Sequence, residues 1–154
     1  MGYRSKDIDL FAVIRDKTRL EGTAYFELHA GELPEPTACW LEGSLFIRDA
    51  AFDFFVECFH RSNPAFDYFG FERFDPQQIE LLLEELFSLV SELTPGSSRE
   101  VVFSRYNSLL FDRQIWDAVD TEALRSAVVS AIEGISIFIH QARSEKRCMW
   151  VLGM

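Results

Sequence analysis

The segment from Asp75 to Leu93 constrains the fold more than any other part of this sequence. Asp75 can cap a helix, Pro76 suits the first helical position, and Gln78 completes the spacing of a capping box. Apolar residues then recur three or four positions apart, at Ile79, Leu82, Leu83, Leu86, Val90 and Leu93. This periodicity predicts an amphipathic helix whose apolar face has to be buried against a core.

Two further segments have helical periodicity. A second long helix is predicted from about Thr121 to Arg143, where apolar residues recur at Leu124, Val128, Ala131, Ile135, Phe138 and Ala142. Gly134 in its interior costs about 1 kcal/mol relative to Ala, so we expect close packing of the backbone there. A third helix is predicted over Arg48–His60, with an aromatic stripe that includes Phe54, Phe55 and Phe59.

The rest of the chain is richer in strand-forming residues and turn signals. Strands are predicted at Thr23–Leu28, Thr37–Ile47 (a strand pair or one bent strand), Phe66–Phe74 (a strand or an extended loop), Val101–Phe103 and Cys148–Leu152. Leu10–Ile14 fits a strand or a helix, and Asn107–Asp120 is ambiguous. These elements predict one α+β domain over residues 1–154, with an antiparallel sheet of about four to six strands packed on one face by two or three helices.

The chain is strongly acidic, with a formal net charge of −10 and an isoelectric point near 4.7. This charge argues against nucleic acid and anionic membranes as partners, because both would repel it. The three cysteines form no CxxC pair, Met1–Asp7 contains no apolar signal, and no apolar run approaches the ~18–20 residues that cross a bilayer. We therefore expect a cytoplasmic protein that binds no membrane.

The acidic residues are concentrated on the first long helix. Five of them, and no basic residue, lie between Asp75 and Glu92. Glu80 and Glu84 are like-charged neighbours on a helix, and Glu85 is expected on the same exposed side. This surface could dock a basic partner, or it could simply be a solvated face that keeps an acidic protein soluble. A second acidic arc comprises Glu32, Glu35, Glu42, Asp49, Asp53 and Glu57, and it has the same two interpretations.

Aromatic residues offer candidate anchors for a partner. The chain contains 15 Phe residues, and the cluster from Phe52 to Phe74 has the spacing of a core, although it could also line an apolar pocket. Trp40 and Tyr68 are better candidates for interface anchors, because each has a polar tip that can stay in contact with water.

The sequence contains no recognisable catalytic, metal-binding or nucleotide-binding motif. Cys58 and His60 are two apart on a predicted helix, so their side chains diverge and cannot form a nucleophile–base pair. The glycines form no phosphate-binding loop, and the acidic residues form no calcium loop. We expect no catalytic residue, no metal and no cofactor. An enzyme remains an alternative only if distant residues such as His29, His140 and Glu42 assemble into a site.

Several features together resemble the cytosolic immunity proteins that bacteria pair with polymorphic toxins. These features are the small size, the acidity, the aromatic-rich α+β pattern and the final helix followed by a short strand that contains Trp150. The resemblance implies tight binding to a cognate toxin domain with a basic surface, often a nuclease, and inhibition of it. From charge and chemistry, the residues expected at that interface are Glu80, Glu84, Glu85, Trp40, Tyr68 and Glu42. The alternative is an adaptor or small-ligand-binding domain without catalysis, which could be homodimeric.

Overall fold

The computed structural model describes residues 9–22, 24–108 and 112–153. Met1–Asp7, Thr23 and residues 109–111 of the ambiguous segment Asn107–Asp120 lie outside the described residues.

Within the described residues, four strands form one antiparallel sheet. They are β1 (Tyr25–Ala30), β2 (Leu45–Arg48), β3 (Phe71–Phe74) and β4 (Met149–Leu152), in the order β2-β1-β4-β3. The last strand of the chain is therefore inserted beside the first, and both neighbours of each central strand are antiparallel to it. The predicted α+β class is confirmed.

The two faces of the sheet are covered by different segments of the chain. Phe26, Leu28 and their neighbours on the same face belong to the hydrophobic core, which the helices complete. Because side chains alternate along a strand, Tyr25, Glu27 and His29 point to the opposite face. Over Tyr25 and Glu27, that second face is covered by Trp40 and Leu41 of the loop between β1 and β2.

Five α-helices accompany the sheet in the described residues. They are α1 (Asp49–Phe52), α2 (Val56–Ser62), α3 (Pro76–Glu92), α4 (Arg99–Val102) and α5 (Thr121–Ser144). Short 3-10 helices lie at Lys17–Arg19 and Arg113–Trp116. The predicted capping box is present, since the Asp75 side chain accepts from the Gln78 backbone and the Gln78 side chain accepts from the Asp75 backbone. Asp120 caps α5 in a similar way through the backbone N–H of Ala123.

The helix predicted over Arg48–His60 is interrupted. It is divided into α1 and α2 by a turn at residues 53–55. In a continuous helix the Asp53 carbonyl would accept from residue 57, but here it accepts from the backbone N–H of Asn107 at 3.0 Å. The loop after α4 therefore takes the hydrogen bond that would have continued the helix.

The strand predictions are partly wrong. Val101–Phe103 is not a strand, because Ser98 caps α4 by accepting from the Val101 N–H, and this local cap prevails over the strand preference of two valines. Thr37–Ile47 contains only the strand β2, since its first part is a loop. Phe66–Phe74 is a strand only in its last four residues, and in Leu10–Ile14 only Ile14 pairs with the sheet, through a single bridge to Phe46.

Helix α5 is long and apolar enough to cross a membrane by length and composition alone. Nine of its side chains are nevertheless buried in the protein, including Ile135 and Ile139. That is the arrangement of a core helix.

Candidate functional site

A groove runs between the two long helices, α3 and α5. Arg143 of α5 forms an ion pair with Glu80 of α3 at 3.1 Å, and at the other end the Arg125 guanidinium donates to the Leu93 carbonyl at 3.1 Å. The two helices are therefore antiparallel. Between these two contacts lies an open cavity of about 460 Å³.

The walls of the groove are mainly apolar. They are formed by Leu83, Leu86, Phe87, Val90, Ile132 and Ile137. Leu86 and Ile132 are buried, whereas Phe87 is 75% exposed and Ile137 is 69% exposed. Burying a large apolar side chain gains roughly 1.5–3 kcal/mol, and Phe87 and Ile137 forgo most of that gain. Contiguous apolar surface of this kind is typical of an interaction site.

Carboxylates lie on both sides of this apolar surface. On α5, Glu133 lines the groove and lies between Ile132 and Ile137 around the helix. On α3, Glu80 and Glu84 lie about 20° and 60° around the helix beyond Phe87. In the described part of the chain, neither Glu84 nor Glu133 has an ion-pair partner, whereas Glu80 is paired with Arg143. Among the described residues that line the groove, His140 is the basic one. The floor and the α3 wall of the groove are thus apolar, whereas the α5 wall carries Glu133, Ser136 and His140 beside Ile137.

Glu85 lies on the other side of α3. On a helix, Glu85 is about 100° past Glu84, which turns it away from the groove. Its carboxylate is half-buried and binds Arg105 at 3.4 Å and Arg61 at 3.6 Å. The Arg105 guanidinium also binds Glu92 at 2.9 Å, so these two acids hold the segment after α4 against α3. The expectation that Glu85 shares an exposed side with Glu80 and Glu84 is wrong.

Trp40 and Glu42 lie in the loop that covers the second face of the sheet. Trp40 is half-buried, stacks on Phe46 at 5.8 Å and meets Tyr25 edge-on. Glu42 is exposed and forms an ion pair with Lys17 at 3.2 Å. The structure therefore does not bring these two residues to the groove, and their role at an interface stays a prediction.

Tyr68 is buried, so the expectation that its polar tip stays in contact with water is wrong. Its side chain is only 5% exposed, and its hydroxyl donates to the Asp53 carboxylate at 3.0 Å. Asp53, expected in a surface arc, is fully buried. Burial raises the pKa of Asp53 to about 7, against the smaller opposing effect of hydrogen bonds from Ser108 and Tyr68. Burial likewise raises the pKa of Tyr68.

The residues weighed for catalysis do not assemble into one site. His29 makes a hydrogen bond with the Ser44 hydroxyl at 2.9 Å, and burial lowers its pKa. His140 lies in the groove and Glu42 pairs with Lys17. Within the described residues, no hydrogen bond, ion pair or cavity joins the three. Cys58 is a buried thiol whose pKa burial raises to about 11. No cluster of three or more metal-binding side chains occurs within residues 9–22, 24–108 and 112–153.

Sequence reasoning missed Phe87, Ile137 and Glu133, although a signal was present. Phe87 lies about 100° around α3 from the centre of its buried stripe, and Ile137 lies nearly opposite the centre of the buried stripe of α5. A large apolar residue left outside the stripe on each of two long helices indicates apolar surface that the core does not cover.

Comparison with models of protein families, with curated protein sequences and with solved structures finds no match to this chain. A function for the chain therefore depends on the geometry of the groove and on the charges around it.

Proposed function

We propose that this chain is an acidic protein-binding module, which binds a cognate toxin domain with a basic surface and neutralises it in the cytoplasm as an immunity protein. The observation that carries the proposal is the uncovered apolar groove between α3 and α5, with the carboxylates of Glu84 on α3 and Glu133 on α5 beside its apolar residues. An apolar patch with a polar rim is typical of a protein-binding surface. The acidity of the chain supports the immunity type.

Each part of the groove has a role in such a complex. Phe87 and Ile137 would supply most of the affinity, since large side chains at the centre of an interface are the usual anchors. Glu84 and Glu133 would orient the partner, and the net charge of −10 would speed its approach. A toxin domain held in this way is inhibited by occlusion, so the proposal requires no catalytic residue.

A second candidate function is the binding of a small apolar ligand in the same groove. The cavity of about 460 Å³ lies within the range of about 300–1,000 Å³ that is usual for small-molecule sites. A small ligand would contact the cavity walls and leave Glu84, which does not line the cavity, in water. Its affinity would therefore be insensitive to the charge at Glu84.

The first test is a pull-down of the tagged protein from its native host at low and at moderate salt, with mass spectrometry of the retained proteins. A captured candidate is then expressed in a heterologous host, with and without this chain. We expect one basic domain in equal stoichiometry, and we expect its toxicity to disappear when the two are co-expressed. An empty column at both salts would contradict the proposal, as would toxicity that persists in the presence of the chain.

Charge reversal separates a specific acidic interface from a general effect of net charge. Glu84→Lys and Glu35→Lys change the net charge by the same amount, and both residues are exposed, but Glu35 lies in the loop after β1. We expect Glu84→Lys to slow association about tenfold at low salt and Glu35→Lys to slow it much less. Equal effects of the two substitutions would remove the border of the groove from the interface.

A further inference from the structure

The shape of the groove limits what can bind in it. Its walls are the side chains of two helices, whose backbone groups are already paired within each helix. An extended peptide in an apolar groove would leave its own N–H and C=O groups unsatisfied, because no strand edge is available there to pair with them. A helix satisfies its backbone internally, so a helical occupant suits these walls.

The length of the groove also fits a helix. Leu83 and Val90 lie seven residues apart on α3, which corresponds to about 10 Å along the helix axis. On an incoming helix, apolar residues at positions i, i+3 or i+4, and i+7 span the same distance of about 10 Å. Three such anchors would lie between Phe87 and Ile137, in contact with the floor at Leu86 and Ile132.

The border charges select among helices. Basic residues beside the apolar stripe of the occupant would meet Glu84 on one side and Glu133 on the other, and neither carboxylate is paired within the described residues. A second copy of this chain is a poorer occupant, because its own Glu84 and Glu133 would be brought against these same carboxylates. An anionic membrane surface is disfavoured for the same electrostatic reason.

We propose that the groove between α3 and α5 binds an amphipathic α-helix of the partner, with apolar anchors at i, i+3 or i+4 and i+7 and with Lys or Arg beside them. This inference rests on the proposed function, since it specifies how that partner is recognised. The bound helix packs as a third helix along α3 and α5.

Three synthetic peptides of about 16 residues test this directly. The first has a leucine stripe at these spacings with flanking lysines, the second replaces the lysines with glutamates, and the third keeps the composition of the first but permutes it to remove the stripe. Binding to the full chain is measured by fluorescence anisotropy at low and at moderate salt. We expect the first peptide to bind at least about tenfold more tightly than either of the others. Equal binding of the first and third peptides would overturn the proposal, as would the absence of binding by all three.

Variants of the protein locate the binding. Phe87→Ala combined with Ile137→Ala should weaken the first peptide about tenfold or more. Leu81→Ala is the matched control, because Leu81 is an exposed apolar residue on the far side of the same helix. Glu84→Lys combined with Glu133→Lys should reverse the preference between the lysine and glutamate peptides. An unchanged preference would show that these carboxylates do not select the occupant.

The outcomes distinguish failure of this inference from failure of the proposed function. If the peptides behave as expected but no toxin domain is found and neutralised, the groove binds helices for another purpose. If a toxin domain is neutralised equally well by the Phe87→Ala, Ile137→Ala variant, the proposed function stands and the groove is not its interface.

Discussion

Two buried carboxylates, Glu27 and Asp53, have very different surroundings. Glu27 accepts hydrogen bonds from the backbone N–H groups of Trp40 at 2.6 Å and Leu41 at 2.8 Å, so its carboxylate holds the loop over the second face of the sheet. Asp53 lies among aromatic rings and accepts from the Tyr68 hydroxyl at 3.0 Å. Burial disfavours the charged form of Asp53 and raises its pKa to about 7, and the hydrogen bonds from hydroxyl groups only partly oppose this.

This shift makes stability depend on pH in a definite direction. In the unfolded chain an aspartate loses its proton near pH 3.9, whereas Asp53 in the folded protein keeps it up to about pH 7. Between these values only the folded state holds the proton, so the contribution of Asp53 to stability falls as the pH rises. The fall is at most about 1.4 kcal/mol per pH unit and ends above the folded pKa.

We therefore expect Asp53→Asn to remove this part of the pH dependence. The amide can still accept from Tyr68, and it carries no charge at any pH. Urea unfolding of both proteins at pH 4.5, 6 and 8 measures the difference between their free energies of unfolding. All other titrating groups are the same in the two proteins, so their contributions cancel from this difference. The variant should gain stability relative to the natural protein as the pH rises, and parallel curves would contradict the role assigned to Asp53.

At the scale of elements, local signals in the sequence were sufficient to predict some of the helices and strands. Helix α3 follows from Asp75, Pro76 and Gln78, whose capping interactions are made within a few residues. Helix α5 and strand β4 follow in the same way from apolar periodicity and length. Local hydrogen bonds and a single buried face define these elements, so one sequence is enough to predict them.

Other elements depend on distant residues and could not be predicted. The loop before β2 stays out of the sheet because the Glu27 carboxylate takes the N–H groups of Trp40 and Leu41, and Trp40 adopts a φ of 57°. The break between α1 and α2 depends on Asn107, about fifty positions away. Of the candidate site, the acidity of Glu80 and Glu84 was visible in the sequence, but the groove itself exists only once α3 packs beside α5.

Two glycines in these elements should respond oppositely to substitution by alanine. Gly134 in α5 faces the Val13 side chain, and an added Cβ would lie 3.4 Å from it, so the expected contact is with a side chain rather than with backbone. At Gly153, after β4, the added Cβ would lie 2.2 Å from the Tyr68 carbonyl oxygen, which is part of the backbone and cannot move away easily.

We expect Gly134→Ala to leave the free energy of unfolding unchanged or to raise it by up to about 1 kcal/mol, since alanine favours the helix. Gly153→Ala should lower it by about 2 kcal/mol or more, because β4 and the Tyr68 segment must separate. Chemical denaturation of the two variants provides the measurement. A large loss of stability at Gly134 would mean that the contact with Val13 is less able to adjust than its distance suggests.

For the whole molecule, the distribution of charge over the surface says more about where a partner binds than the net charge does. Several acids are neutralised locally by arginines, including Glu85 and Glu92 by Arg105 and Glu122 by Arg125. In the described residues, Glu84 and Glu133 have no such partner and lie beside the exposed apolar surface. Unneutralised negative charge therefore lies beside this uncovered apolar surface, as expected of a surface that is completed by a basic partner.

If the groove is maintained for binding, its exposed residues should contribute little to folding. Leu86 and Phe87 are adjacent on α3 and provide a matched comparison, because Leu86 is fully buried and Phe87 is 75% exposed. Leu86→Ala should lower the free energy of unfolding by about 2–5 kcal/mol, as is usual for a buried leucine. Phe87→Ala and Ile137→Ala should each change it by no more than about 0.5 kcal/mol, since alanine favours a helix and little buried area is lost.

Urea denaturation of the three variants checks this. A loss at Phe87 comparable to that at Leu86 would mean that the groove is part of the core and is closed in solution, and both proposals for the groove would fail with it.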